Sequence, residues 1–185
     1  MKTKKIIFIL YLAVLAGITT IGKSQDARED KISRKEAEKA RMTYNFYALD
    51  SLLVSRRYVL EADYLQNKIG DRISVSNTLN FVRVEDEKGV LQTGSDMLVG
   101  NNGFGGVTTE GNISKYKIQR NLKSLTHRVS FNLVSNLGIF NIDMSIRADN
   151  FASATITSTR SGRLTWHGHL ASLNHTRTFK GMDLY

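Results

Sequence analysis

Two histidines one residue apart, His167 and His169, fall on the same face of any extended strand, because side chains alternate sides along it. Such a pair can open a metal site, but zinc asks for a third and usually a fourth ligand. The donors at hand are Asp143 and His127, and His127 falls in the apolar-facing set of its own segment. Two surface histidines and one half-buried, hydrogen-bonded His127 account for the pattern without a metal. Glu61 and Asp63 form a second pair, two carboxyls on one strand face. Glycoside hydrolysis needs its carboxyls about 5–9.5 Å apart across a cleft, and an i, i+2 pair on the outside of a strand lacks the opposing wall. The chain has no cysteine, no Gly-x-Ser-x-Gly elbow and no His-Glu-x-x-His. The residues therefore assign no catalytic group, no cofactor and no metal.

A third candidate is the stretch from Gly100 to Gly111, which holds five of the chain's 14 glycines. Glycine enters positive-φ conformations at little cost, and backbone N–H groups in such a loop can cradle an anion. A dinucleotide fingerprint would need glycine at 108, where Thr108 stands, and no Gly-Lys-Ser/Thr follows. The plainer reading is a connection between strands with Phe104 tucked beneath it. The ligand-binding candidates are Asn101, Asn102, Gly103, Phe104, Gly105 and Gly106, with Trp166 as a pocket floor and His127 beside the interior.

The elements that must position these residues follow from hydropathy patterning. Met1-Lys2-Thr3-Lys4-Lys5 is a positive start, Ile6 to Ile21 is apolar, and Gly22-Lys23-Ser24 suits a cut before Gln25. Residues 1–24 thus read as a secretory signal peptide. A spanning helix wants about 20 apolar residues, more than this run supplies. The formal charge is +9, and the leader carries four of the lysines, leaving about +5. From Asn112 to Tyr185 ten Lys/Arg face three acids. That bias suits lipid headgroups, polysaccharide or simply a soluble outer face; export argues against nucleic acid.

Residues 25–55 read as a charged segment and a helix. Ser33-Arg34-Lys35-Glu36 has capping-box spacing, and Met42, Phe46, Leu49 and Leu53 make one apolar stripe, so a helix is expected over Ser33–Val54. Tyr44 and Tyr47 beside the stripe are expected to pack. Residues 56–185 read as an antiparallel β domain. Arg57–Tyr64 alternates, with Tyr58, Leu60, Ala62 and Tyr64 facing one way. Strands follow at Thr78–Glu85, Val90–Thr93, Ile113–Arg120, Leu125–Ser135, Ile139–Arg147, Phe151–Thr159 and Arg163–Ser172, joined by short polar turns. Several exceed the usual five to six residues. About eight long strands, apolar on one face and linked as hairpins, predict an up-and-down barrel or strongly curved meander with an N-terminal helix against it.

The strand Arg57–Tyr64, the run Asn80-Phe81-Val82, the loop Asn102-Gly103-Phe104-Gly105-Gly106-Val107-Thr108-x-Glu110-Gly111, and Gly168-His169-Leu170 ahead of Phe179-Lys180-Gly181 together resemble a domain-of-unknown-function family, number 4251. Its members are exported proteins of Bacteroides-type bacteria. The resemblance implies a Gram-negative periplasm or cell surface, and it carries no activity and no catalytic residues. The expected function is a non-catalytic module for a small apolar or anionic ligand, with peripheral membrane contact compatible. The alternatives are an envelope protein–protein interaction module and, third, a hydrolase of an envelope polymer; the partners considered are a small ligand, an envelope protein or a polysaccharide.

Overall fold

The computed structural model describes residues 31–94, 106–158 and 163–182. The expected signal peptide and the loop residues Asn101 to Gly105 lie outside them. The chain divides into two compact units, one ending at Arg41 and one beginning at Met42. In the first, residues 31–41 are helical and exposed on every side, as suits a stretch in which Ile32 is the one large apolar residue.

The second unit begins with helical residues 42–54 and continues as nine antiparallel strands. These are β1 (Arg57–Gln66), β2 (Arg72–Ser74), β3 (Phe81–Glu85), β4 (Lys88–Thr93), β5 (Val107–Asn121), β6 (Thr126–Ser135), β7 (Gly138–Arg147), β8 (Phe151–Ser158) and β9 (Arg163–Ser172). Strands β3 to β9 pair in chain order, and β1 joins β3 on one edge and β9 on the other. Eight strands thus close into a barrel, which leaves no free edge. Strand β2 is the extra one, pairing with β1 beyond the end of β3.

Alternation places one large apolar set inside. Tyr58, Leu60, Val84, Leu133, Ile142, Met144 and Ile146 are buried together. The seam needs close backbone approach. At Gly168 a Cβ would lie 1.8 Å from the Glu61 carbonyl oxygen, so only glycine fits where β9 meets β1. The β1–β9 register also shifts between Ala62 and Tyr64. That bulge corrects the sequence expectation for Tyr64. The extra residue turns it outward, 50% exposed, and Leu65 takes the inner position instead.

One barrel end is capped by the helix. Leu49 and Leu53 join the interior core. Phe46 stacks on His127 with ring centres 4.1 Å apart. The Tyr116 hydroxyl donates to the Leu53 carbonyl at 2.9 Å and sits 3.2 Å from the Tyr58 hydroxyl. Arg120 holds Asp50 of the helix through Nε at 2.5 Å. Met42, Phe46, Leu49 and Leu53 behave as the stripe predicts, but Tyr44 and Tyr47 do not. They are 74% and 57% exposed, because they lie on the solvent side of the helix.

The outer face of β1, β3 and β4 is covered as well. Val59, Phe81 and Val90 form a small second core with Leu173, and the segment after β9 crosses it as a strap. Gln92, wholly buried, ties that strap down. Its Nε2 donates to the carbonyls of Leu79 at 3.1 Å and Phe179 at 2.8 Å. Its Oε1 accepts from the Thr108 hydroxyl at 2.9 Å and the Gly181 N–H at 2.7 Å.

Candidate functional site: an apolar cavity at the open end

At the end opposite the cap, the described residues leave a hollow between the strands. Strand β4 contributes Leu91 and Thr93 to this end, and β5 contributes Val107 and Thr109. From the other side come Phe140 of β7, Ile156 and Ser158 of β8, and Leu164 and Trp166 of β9, with Leu137 from the β6–β7 turn. Between them lies a cavity of about 310 Å³, at the lower end of the ~300–1,000 Å³ typical of small-molecule sites. Seven of these ten residues are apolar and three carry hydroxyls. Trp166, only 1% exposed, forms the floor above the packed core. An indole floor, aliphatic walls and a few hydroxyls suit a ligand that is mainly hydrocarbon.

Of the residues singled out from sequence, Trp166 is in this cavity. Gly106 stands just before β5, and a Cβ there would lie 2.1 Å from the Thr93 carbonyl oxygen, so its role is close approach of β5 to β4. His127 is at the opposite, capped end. It is fully buried rather than half-buried, and its Nε2 lies 3.2 Å from Asp50 Oδ1 without making a directed hydrogen bond. Burial pushes its pKa below the usual imidazole value. Asp50 opposes that shift and Arg120 adds to it. His127 belongs to the cap and does not reach the cavity.

His167 and His169 do share the outer face of β9, as their spacing requires, but each has its own partner. His167 Nε2 lies 2.8 Å from Gln66 Oε1. Burial, then Arg72, lowers its pKa. His169 bridges the two carboxylates, with Nε2 3.3 Å from Glu61 and Nδ1 3.4 Å from Asp63. Glu61 also accepts from the Thr176 hydroxyl at 2.6 Å, and Asp63 from Asn77 at 3.0 Å. The two acids therefore tie β1 to β9 and to the strap. No group of three metal-ligating side chains able to hold an ion occurs among the described residues.

The cavity walls other than Trp166 were not marked by sequence. Leu91, Phe140 and Ile156 alternate like any core residue. Nothing in a strand pattern says at which end the filling stops.

An eight-stranded antiparallel barrel with a helix across one end defines a class of small β-barrel proteins. Within that class the chain belongs to the domain-of-unknown-function family DUF4251, whose family model matches residues 38–170. It is similar to a DUF4251 family protein from Bacteroides eggerthii DSM 20697, known from a crystal structure at 1.95 Å resolution. The two are 27% identical and superpose with a TM-score of 0.61, covering 72% of this chain and 91% of that one. No curated protein matches the chain.

Proposed function

We propose that this is an exported, non-catalytic binding protein that takes a small, mainly apolar molecule into the open end of its barrel. The observation that carries the reading is the cavity over Trp166, apolar on most of its wall. The opposite end is closed by Phe46, Leu49 and Leu53. Export rests on the signal-peptide pattern of residues 1–24, and the periplasm or outer surface is the place it implies. No helix among the described residues is long and apolar enough to cross a membrane.

Trp166 is the chain's one tryptophan, so indole fluorescence, excited beyond the tyrosine absorption band, reports on the cavity floor alone. Titration with a polyene fatty acid that accepts energy from indole should quench it saturably, one ligand per chain. Ser158→Phe, which puts a ring into the cavity, should weaken that quenching at least tenfold. Quenching that is absent, or indifferent to this substitution, refutes the reading.

A further inference from the structure

The same end of the barrel carries an exposed apolar and basic rim. Ile73 of β2 pairs with Leu65, and Leu65 pairs with Trp166 across the seam. Residues opposite one another in antiparallel strands point to one face, so Ile73 continues the cavity's inner row onto the rim. Yet it is 62% exposed, and Ile69 in the turn before it is 79% exposed. Val107 and Leu137 add apolar surface on the far side of the opening, and Val134 and Ile139 pair just behind Leu137. Around this surface stand Lys68, Arg72 and Arg163, all exposed. None of the three is in an ion pair among the described residues. The nearby carboxylate is Asp71, whose Oδ2 accepts from Asn67.

The capped end also carries an exposed aliphatic side chain beside a base, Leu122 next to Lys123, but most of its arginines are in ion pairs. There Arg57 pairs with Glu85 and Asp86, Arg120 with Asp50, and Arg147 with Asp149. Among the described residues, bases outside any ion pair and exposed aliphatic side chains thus stand together around the cavity end, where Ile69 and Ile73 are the most exposed of that end's aliphatic residues. Apolar side chains enter the headgroup boundary of a bilayer while neighbouring bases are drawn to anionic lipid.

We propose that the open rim docks on an anionic phospholipid surface, with Ile69 and Ile73 entering the headgroup layer and Lys68, Arg72 and Arg163 meeting the phosphates. The cavity then opens directly onto the bilayer. This second step rests on the ligand reading above; the docking itself does not.

The absence of cysteine allows a single environment-sensitive label on the full chain, at Ile73→Cys or, for the capped end, at Leu122→Cys, whose parent residue is 63% exposed. Phosphatidylglycerol vesicles should shift the label at 73 to the blue and shield it from iodide, leaving the label at 122 unchanged. Vesicles of phosphatidylcholine alone should do much less. Replacing Lys68 and Arg72 by glutamine should raise the lipid concentration needed for half the shift about 30-fold. Equal shielding at both positions, or no effect of the two replacements, overturns the proposal. So does shielding at 73 that grows with protein concentration without vesicles, since a second copy then covers the rim. Rim shielding that persists while Trp166 quenching fails sinks the cavity reading alone.

Discussion

Gln92→Leu is the most direct probe of how the cavity wall is held. Gln92 sits between Leu91 and Thr93, both of which line the cavity, while its own side chain points outward to the strap. Leucine keeps the bulk and removes all four hydrogen bonds. Phe179 and Gly181 lie on the exposed strap and can turn to water, so their loss costs little. The Leu79 carbonyl stays inside, its residue 8% exposed. Stranding one buried polar group costs about 1–3 kcal/mol, so about 2 kcal/mol is the central expectation. For a chain of this size that lowers Tm by about 4–8 °C. Thermal unfolding followed by far-ultraviolet circular dichroism measures the shift. Trypsin should also cut faster at Arg177 and Lys180, because the strap loses its tie. A variant within about 0.5 kcal/mol of the parent, with unchanged cleavage, would refute the view that Gln92 anchors the strap.

Stability should also depend on pH in a definite direction. His127 and His167 both have pKa values lowered in the fold, chiefly by burial. The unfolded chain therefore binds more protons than the native one as pH drops. Stability should be complete above about 6.5, the unfolded value, and decline as pH falls towards the lowered native values. Urea midpoints from pH 8 to 5 check this, and His127→Gln with His167→Gln should flatten the decline. Gly168→Ala should cost about 3 kcal/mol by overpacking the seam. A urea midpoint equal to the parent's would show that β9 can shift away from Glu61 without loss.

Much of this architecture was legible because the period-two pattern survives wherever one sheet face is buried. Thr126–Ser135 places His127, Val129, Phe131 and Leu133 inward, and Arg163–Ser172 was bounded correctly by its turns. The pattern failed where geometry departs from it. The bulge at Asp63 reversed the phase for Tyr64. Strand β5 starts at Val107, not Ile113, because Gly111 reads as loop although it serves close packing. A Cβ at Gly111 would lie 2.2 Å from the Val134 carbonyl oxygen. Strand β2 is three residues long, too short to show a period. The cavity was less legible than the fold. Trp166 stands out by type, but a hollow is a property of end-to-end filling, which one strand's sequence does not contain.

The pairing of β1 with β9 has a kinetic meaning. Tyr58 finds Ser172, more than a hundred residues further on, only once β9 exists, so hairpins from β3 onward can assemble early while the ring stays open. Closure waits for the last strand to be delivered. A polypeptide built this way keeps an unlocked ring until β9 arrives, so the step that joins its two ends in space is the one that commits the fold.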